Sequence, residues 1–202
     1  KVDFKKNQSL AEMLKESDKG YHSAFLGKGC TPLGWFKDHG YDETDFIHKH
    51  PNGNAHGDWW EPAEKPLIPA DDPKRVFSLA RNSIGYLEKR ASDKKPFFLT
   101  ISHYALHVRN MSLKSTRRKY LDLVGQREGI DEKIPDISKF DDNADEMPAK
   151  LRSHWERANY AAMMEDMDTS IGMVLEKLKE LDLEENTYVI FSSDNGGGAS
   201  NK

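Results

Sequence analysis

Apolar residues along this chain switch between two spacings, and the switches mark its elements. In "QSLAEMLKESD", residues 8–18, Leu10, Met13 and Leu14 share one face of a short amphipathic helix, and Lys19-Gly20 stops it. "YHSAFLG", residues 21–27, reads as a buried strand. Residues 29–72 hold Gly, Pro, His and Trp without a clear period. A stretch that long inside a domain is functional or disordered. Its aromatics Trp35, Phe36, Trp59 and Trp60 argue against plain disorder.

"PKRVFSLARNSIGYLEKRAS", residues 73–92, predicts a second helix with Val76, Leu79, Ala80, Ile84 and Leu87 on one side. Asp71 or Asp72 is placed to cap it, with Pro73 in the first turn. "KPFFLTISHY" predicts a second strand, too apolar to face water on either side. Residues 110–150 are charged and read as loops with a solvated surface. A third helix is predicted from about 150 to 181. Its stripe is Leu151, Trp155, Ala158, Ala162, Met164, Ile171, Val174, Leu175, Leu178 and Leu181. Asp168 lies on or beside that stripe, where a carboxylate must be paired or approach a polar site. "DLEENT" then turns into a third strand, "TYVIFSS", residues 187–193.

Apolar strands alternating with amphipathic helices predict an α/β fold: a mostly parallel sheet with helices on both faces. Ligands of such sheets sit beyond the C-terminal ends of the strands. That rule directs Lys28, the segment His103–His107, and Asp194-Asn195 toward one crevice.

Composition narrows the partners. The chain has 202 residues, 37% apolar, and 30 basic against 34 acidic side chains give a net charge of -4. Neither sign dominates, so the balance offers no footprint for nucleic acid or a membrane surface. No apolar run reaches the length of a membrane span. Cys30 is the only cysteine, which excludes an internal disulfide. Asn7 and Asn110 begin glycosylation sequons, at about the frequency chance gives. Neither a P-loop nor a Gly-x-Ser-x-Gly elbow occurs.

Each strand end has a chemical and a bland reading. Asp194 and Asn195 are oxygen ligands for a hard cation, or ordinary turn residues. His107 is a proton donor or anion contact, or a loop-packing histidine, and the alternation does not decide whether His103 or His107 turns inward. Lys28 is a point charge for an oxyanion, or a solvated lysine. Together, Lys, His and a carboxylate-held metal suit a tetrahedral oxyanion ester.

Three blocks then resemble the sulfatase family of the alkaline-phosphatase superfamily. They are "SLAEMLKESDKGYHSAFLGKG", "DKKPFFLTISHYALH" and "YAAMMEDMDTSIGMVLEKLKELDLEENTYVIFSSDNGG", in family order. The resemblance implies a partial alkaline-phosphatase-like fold, with residues 1–202 as the central portion of a sulfatase catalytic domain. It implies a formylglycine nucleophile upstream of residue 1. It also implies Ca²⁺ rather than Mg²⁺, held in part by Asp194 and Asn195, and sulfate contacts from Lys28 and His107. A small-molecule or glycan sulfate ester is the implied substrate, and Trp35, Trp59 and Trp60 either stack on sugar rings or anchor the loop. A secreted, periplasmic or lysosomal setting follows from resemblance alone. The 202 residues by themselves are expected to be inactive.

The chain departs from the family pattern at three places. Cys30-Thr31-Pro32-Leu33-Gly34 lacks the Arg of Cys-x-Pro-x-Arg and follows the Gly-Lys block, so Cys30 is not assigned as nucleophile. Gly29 and Cys30 stand where many relatives have Trp-His, so the second histidine is missing or is supplied from elsewhere, for instance by His39 after a rearranged loop. Ala105-Leu106-His107-Val108-Arg109 replaces Ala-Pro-His-x-Pro. A phosphatase or phosphodiesterase of the same superfamily, and a non-catalytic binder of sulfated glycans, are the alternative readings.

Overall fold

The computed structural model describes residues 8–29, 36, 39–45, 71–107, 110–127, 148–194 and 196. Helix α1, Leu10–Glu16, opens on a capping box: Glu12 N–H donates to Ser9 Oγ, and Ser9 N–H donates to the Glu12 carboxylate. The face expected to be buried is turned outward. Leu10 and Met13 are exposed, and Ala11 is the residue packed inside.

Strand β1, His22–Gly27, is central in a three-stranded parallel sheet of order β2-β1-β3. Strand β2 is the short Glu43–Thr44 and β3 is Phe97–Ser102. β1 and β3 pair from His22↔Phe97 to Gly27↔Ser102, which sets their C-terminal ends level.

Helix α2, Val76–Asp93, links these levels across one face of the sheet. Leu26, Leu79 and Tyr104 form one core cluster there. Ala80, Leu87, Val174 and Leu178 form another, against Phe97, Leu99 and Ile101. Leu79 and Leu87 are wholly buried, each contributing about 2 kcal/mol relative to exposure. Phe25, Phe36, Tyr41 and Phe98 stack as an aromatic layer on the opposite pleat.

The second helix begins later than its pattern suggests. Pro73–Arg75 is a separate 3-10 turn, and Lys74 and Arg75 adopt left-handed backbone at φ 54° and 55°. Asp72 still acts as the cap by reaching past them: its Oδ1 accepts from the amides of Phe77 and Ser78, at 2.9 and 3.0 Å.

Two further corrections concern the second half. Residues expected as charged loop contain helix α3, Lys114–Arg127. It seats Tyr120 and Leu121 against Leu151, Trp155 and Ala158 of helix α4, Ala149–Glu180. Few apolar positions mark α3, so its pattern is faint, and the packing against α4 supplies what the pattern lacks. On α4 the buried stripe runs through Ala158, Ala162, Asp166, Ser170, Val174 and Leu178, with Met163 beside it. Met164, Leu175 and Asp168 face solvent, so the carboxylate turned inward is Asp166 rather than Asp168.

The expected third strand is not formed. Residues 187–193 carry no strand pairing, and Tyr188, Val189, Ile190 and Phe191 are 98%, 61%, 87% and 77% exposed. A strand needs a ladder partner, and none among the described residues pairs with this one. Among the described residues no helix is long and apolar enough to cross a membrane.

Candidate functional site at the strand ends

Two of the three predicted strand ends come together. The amide of Lys28 donates to Ser102 O at 2.8 Å, so the residue after β1 is tied to the last residue of β3. Four residues of turn then lead from Ser102 to His107, whose amide donates to Tyr104 O at 3.2 Å. Lys28 and His107 thus extend from neighbouring, hydrogen-bonded ends.

The structure also separates the two histidines. His107 is exposed. His103 turns inward, its Nδ1 is buried without a hydrogen-bond partner among the described residues, and burial pushes its pKa down to about 4. A ring whose folded pKa lies below its unfolded value near 6.5 contributes stability that is complete above about pH 6.5. That stability is lost as pH falls through the window down to about 4. Partial solvation reduces the full linkage value to about 2 kcal/mol. Urea titrations at pH 7 and pH 4.5 are expected to show this loss, and His103→Phe to shrink it.

Other expected participants stand apart. His39 lies beside Glu12, with Nδ1 at 3.8 Å from Oε1, and its carbonyl accepts from Ser9 Oγ. The neighbouring Gly40 and Asp42 bond to Ser23, at the start of β1. His39 therefore sits at the opposite end of β1 from Lys28 and does not supply a second histidine there. Asp194 is exposed, beyond residues 187–193, which form no strand. Asn195, Cys30, Trp35, Trp59 and Trp60 lie outside the described residues. Among the described residues no group of three or more His, Cys, Asp or Glu side chains is placed to hold a metal ion. A Ca²⁺ takes six to eight oxygens, which Asp194 alone does not provide.

Behind Lys28 and His107 lies a layer that the sequence pattern does not announce. Gly27 N–H donates to Asp45 Oδ1 at 2.7 Å. Asp45 Oδ2 accepts from Asn82 Nδ2 at 2.9 Å and from Arg75 Nη2 at 3.2 Å. The Arg75 guanidinium lies 5.9 Å from the centre of the Tyr104 ring. Asp45 follows the two-residue strand β2 and Arg75 falls within a predicted helix, so neither carries a motif. The run of charge "DDPKR" is the one visible hint.

Known proteins resemble the chain in sequence and in fold. Residues 2–202 match the family model described as Sulfatase. An ulvan-active sulfatase of Formosa agariphila is 29% identical over 202 residues, covering 93% of this chain and 35% of its own. A second sulfatase of that organism is 28% identical over 141 residues, covering 65% and 21%. The chain thus spans well under half the length of either curated relative. Among solved structures, Ps i-CgsB superposes with a TM-score of 0.50 at 17% identity, over 86% of this chain and 36% of that one. The protein yidJ from Bacteroides fragilis superposes at 0.52, also at 17% identity, over 87% and 41%. These likenesses show the fold, the alkaline-phosphatase-like arrangement of parallel sheet and helices.

Proposed function

This chain belongs to the sulfatase family, and from that premise we propose that the protein hydrolyses a sulfate ester on a carbohydrate. Lys28 and His107 act at the ester. The observation that carries this reading is the tie between their strand ends, the 2.8 Å bond from Lys28 N–H to Ser102 O. A relative named for activity on ulvan supports a carbohydrate sulfate as substrate class.

The Lys28 ammonium pairs with non-bridging sulfate oxygens as a compact point charge. An attacking oxygen nucleophile forms the new bond to sulfur as the ester S–O bond breaks, the electron pair of that bond goes to the sugar oxygen, and His107, on an exposed turn, donates a proton to that oxygen. Asp194 and Asn195 belong to this proposal as two residues that would help hold a Ca²⁺, which would supply positive charge to the ester. Two oxygens do not make that site alone, and no step above runs through it. The nucleophile is expected to be a formylglycine outside these residues. No Cys-x-Pro-x-Arg occurs in the 202 residues, so the isolated chain is expected to leave an aryl sulfate intact.

The test is turnover of a sulfated polysaccharide by the full-length protein, beside the matching phosphate ester and a binding assay. Sulfate release that falls about 10- to 30-fold in kcat/KM in Lys28→Ala, or about 1.4–2 kcal/mol, is the expected result. Preference for the phosphate ester transfers the reading to a phosphatase. Glycan binding without turnover transfers it to a binding protein.

A further inference from the structure

We propose that Arg75 and Asp45 are positioning residues that clamp the ends of β1 and β3 together and so set where Lys28 and His107 stand; this rests on the reading of those two residues given above. Three observations meet in this pair. Asp45 holds the amide of Gly27, the residue just before Lys28, at 2.7 Å. Arg75 bonds the same carboxylate at 3.2 Å and lies over the Tyr104 ring at 5.9 Å. Tyr104 in turn accepts the amide of His107 at 3.2 Å. A single guanidinium therefore touches both lines, Gly27–Lys28 through Asp45 and His107 through Tyr104.

Burial and backbone geometry fit a clamp better than a surface ion pair. The Arg75 and Asp45 side chains are 13% and 16% exposed, and Asn82 adds a second donor to the carboxylate. A buried, multiply bonded pair resists the screening that makes exposed pairs weak. Arg75 keeps a left-handed backbone, φ 55°, directly after Lys74 at φ 54°. Two successive non-glycine residues in that region are disfavoured, and such conformations persist where the surroundings over-determine them. The turn is what brings Arg75 over the strand ends instead of along the flank of α2. Arg75 Nη1 is buried with no hydrogen-bond partner among the described residues, so the guanidinium is held by the Nη2 bond to Asp45 and its place over the Tyr104 ring.

The guanidinium matters as well as its charge, because Nη2 meets Asp45 while the group lies over the Tyr104 ring. Arg75→Met is expected to lower kcat/KM of the full-length enzyme about 10-fold, and Arg75→Lys to recover only part of it. The experiment is a double-mutant cycle with Lys28→Ala, together with amide exchange of residues 24–29. Arg75→Met is expected to speed exchange at Gly27, and its kinetic effect to shrink to about twofold in the Lys28→Ala background. A purely structural loss would lower activity by the same factor in both backgrounds, and that result overturns the proposal. Unchanged exchange at Gly27 overturns it too, whatever the activity. If exchange rises but Lys28→Ala alone leaves turnover intact, the catalytic reading of Lys28 falls while the clamp on the strand ends stands. Asp45→Asn, which keeps the shape and removes the charge, repeats the cycle if Arg75→Met fails to fold.

Discussion

Gly27→Ala is expected to destabilise the protein by more than about 4 kcal/mol, enough to abolish cooperative folding near body temperature. Gly27 has φ +102°, and a Cβ built there would lie 2.0 Å from the Ser102 carbonyl oxygen and 3.1 Å from Leu79 Cδ2. The nearest atom is backbone of the paired strand, so no side-chain rotation relieves the contact. β1 must either leave β3, giving up the Lys28–Ser102 bond, or push α2 off the sheet through Leu79. The internal control is Gly85→Ala in the middle of α2, where nothing lies within 4 Å of the added methyl. That substitution is expected to raise stability by about 0.5–1 kcal/mol, since alanine is the better helix former. Thermal melts of the two variants should move in opposite directions. A Gly27→Ala protein that melts within a few degrees of the parent would contradict the pairing of β1 and β3.

Asp166→Ala is expected to cost about 3–4 kcal/mol. The side chain is 3% exposed. It accepts from Leu113 N–H and from Thr116 Oγ, both at 2.7 Å, where the chain enters α3. Burial holds its pKa above the ordinary carboxylate value, while those two donors oppose the rise. Removing the carboxylate strands both donors in a closed seam. Nearby Ser112 donates to Asn159, whose Nδ2 donates to Asn110 O at 2.7 Å, so the whole entry to α3 is pinned to α4. Asp166→Asn retains an acceptor and should cost less. Asp168→Ala, on the solvent side of the same helix, is expected to stay within about 0.5 kcal/mol of the parent. Urea midpoints for the three variants decide the matter, and an Asp168 effect as large as that of Asp166 would reverse the assignment of the inward carboxylate.

The strands β1 and β3 and the helices around α2 and α4 are legible in the sequence because each buries a run or stripe of its own. What escapes it depends on partners. Met163 and Met164 are indistinguishable as letters, and only the rotation of α4 against α2 and α3 buries the first and exposes the second. The same rotation exchanges Asp168 for Asp166. Helix α3 has too faint a stripe to read without α4 beside it. The left-handed pair Lys74-Arg75 violates local preference, and local preference is all that a pattern can report. In the candidate site Lys28 and His107 come from strand ends, which topology predicts. Asp45, Arg75 and Tyr104 behind them come from contacts between elements, and no periodicity encodes those.

Asp194 closes an exposed run that begins at Tyr188. In the proposed Ca²⁺ site that carboxylate is carried by a run with no strand partner among the described residues. If the run docks in only a fraction of molecules, a cation held there reports two equilibria at once: intrinsic affinity, multiplied by that fraction. Apparent affinity drops in proportion when docking is rare, although no ligand atom has changed. Substitutions at Val189 or Ile190, remote from the cation, would then act as mutations of its binding constant.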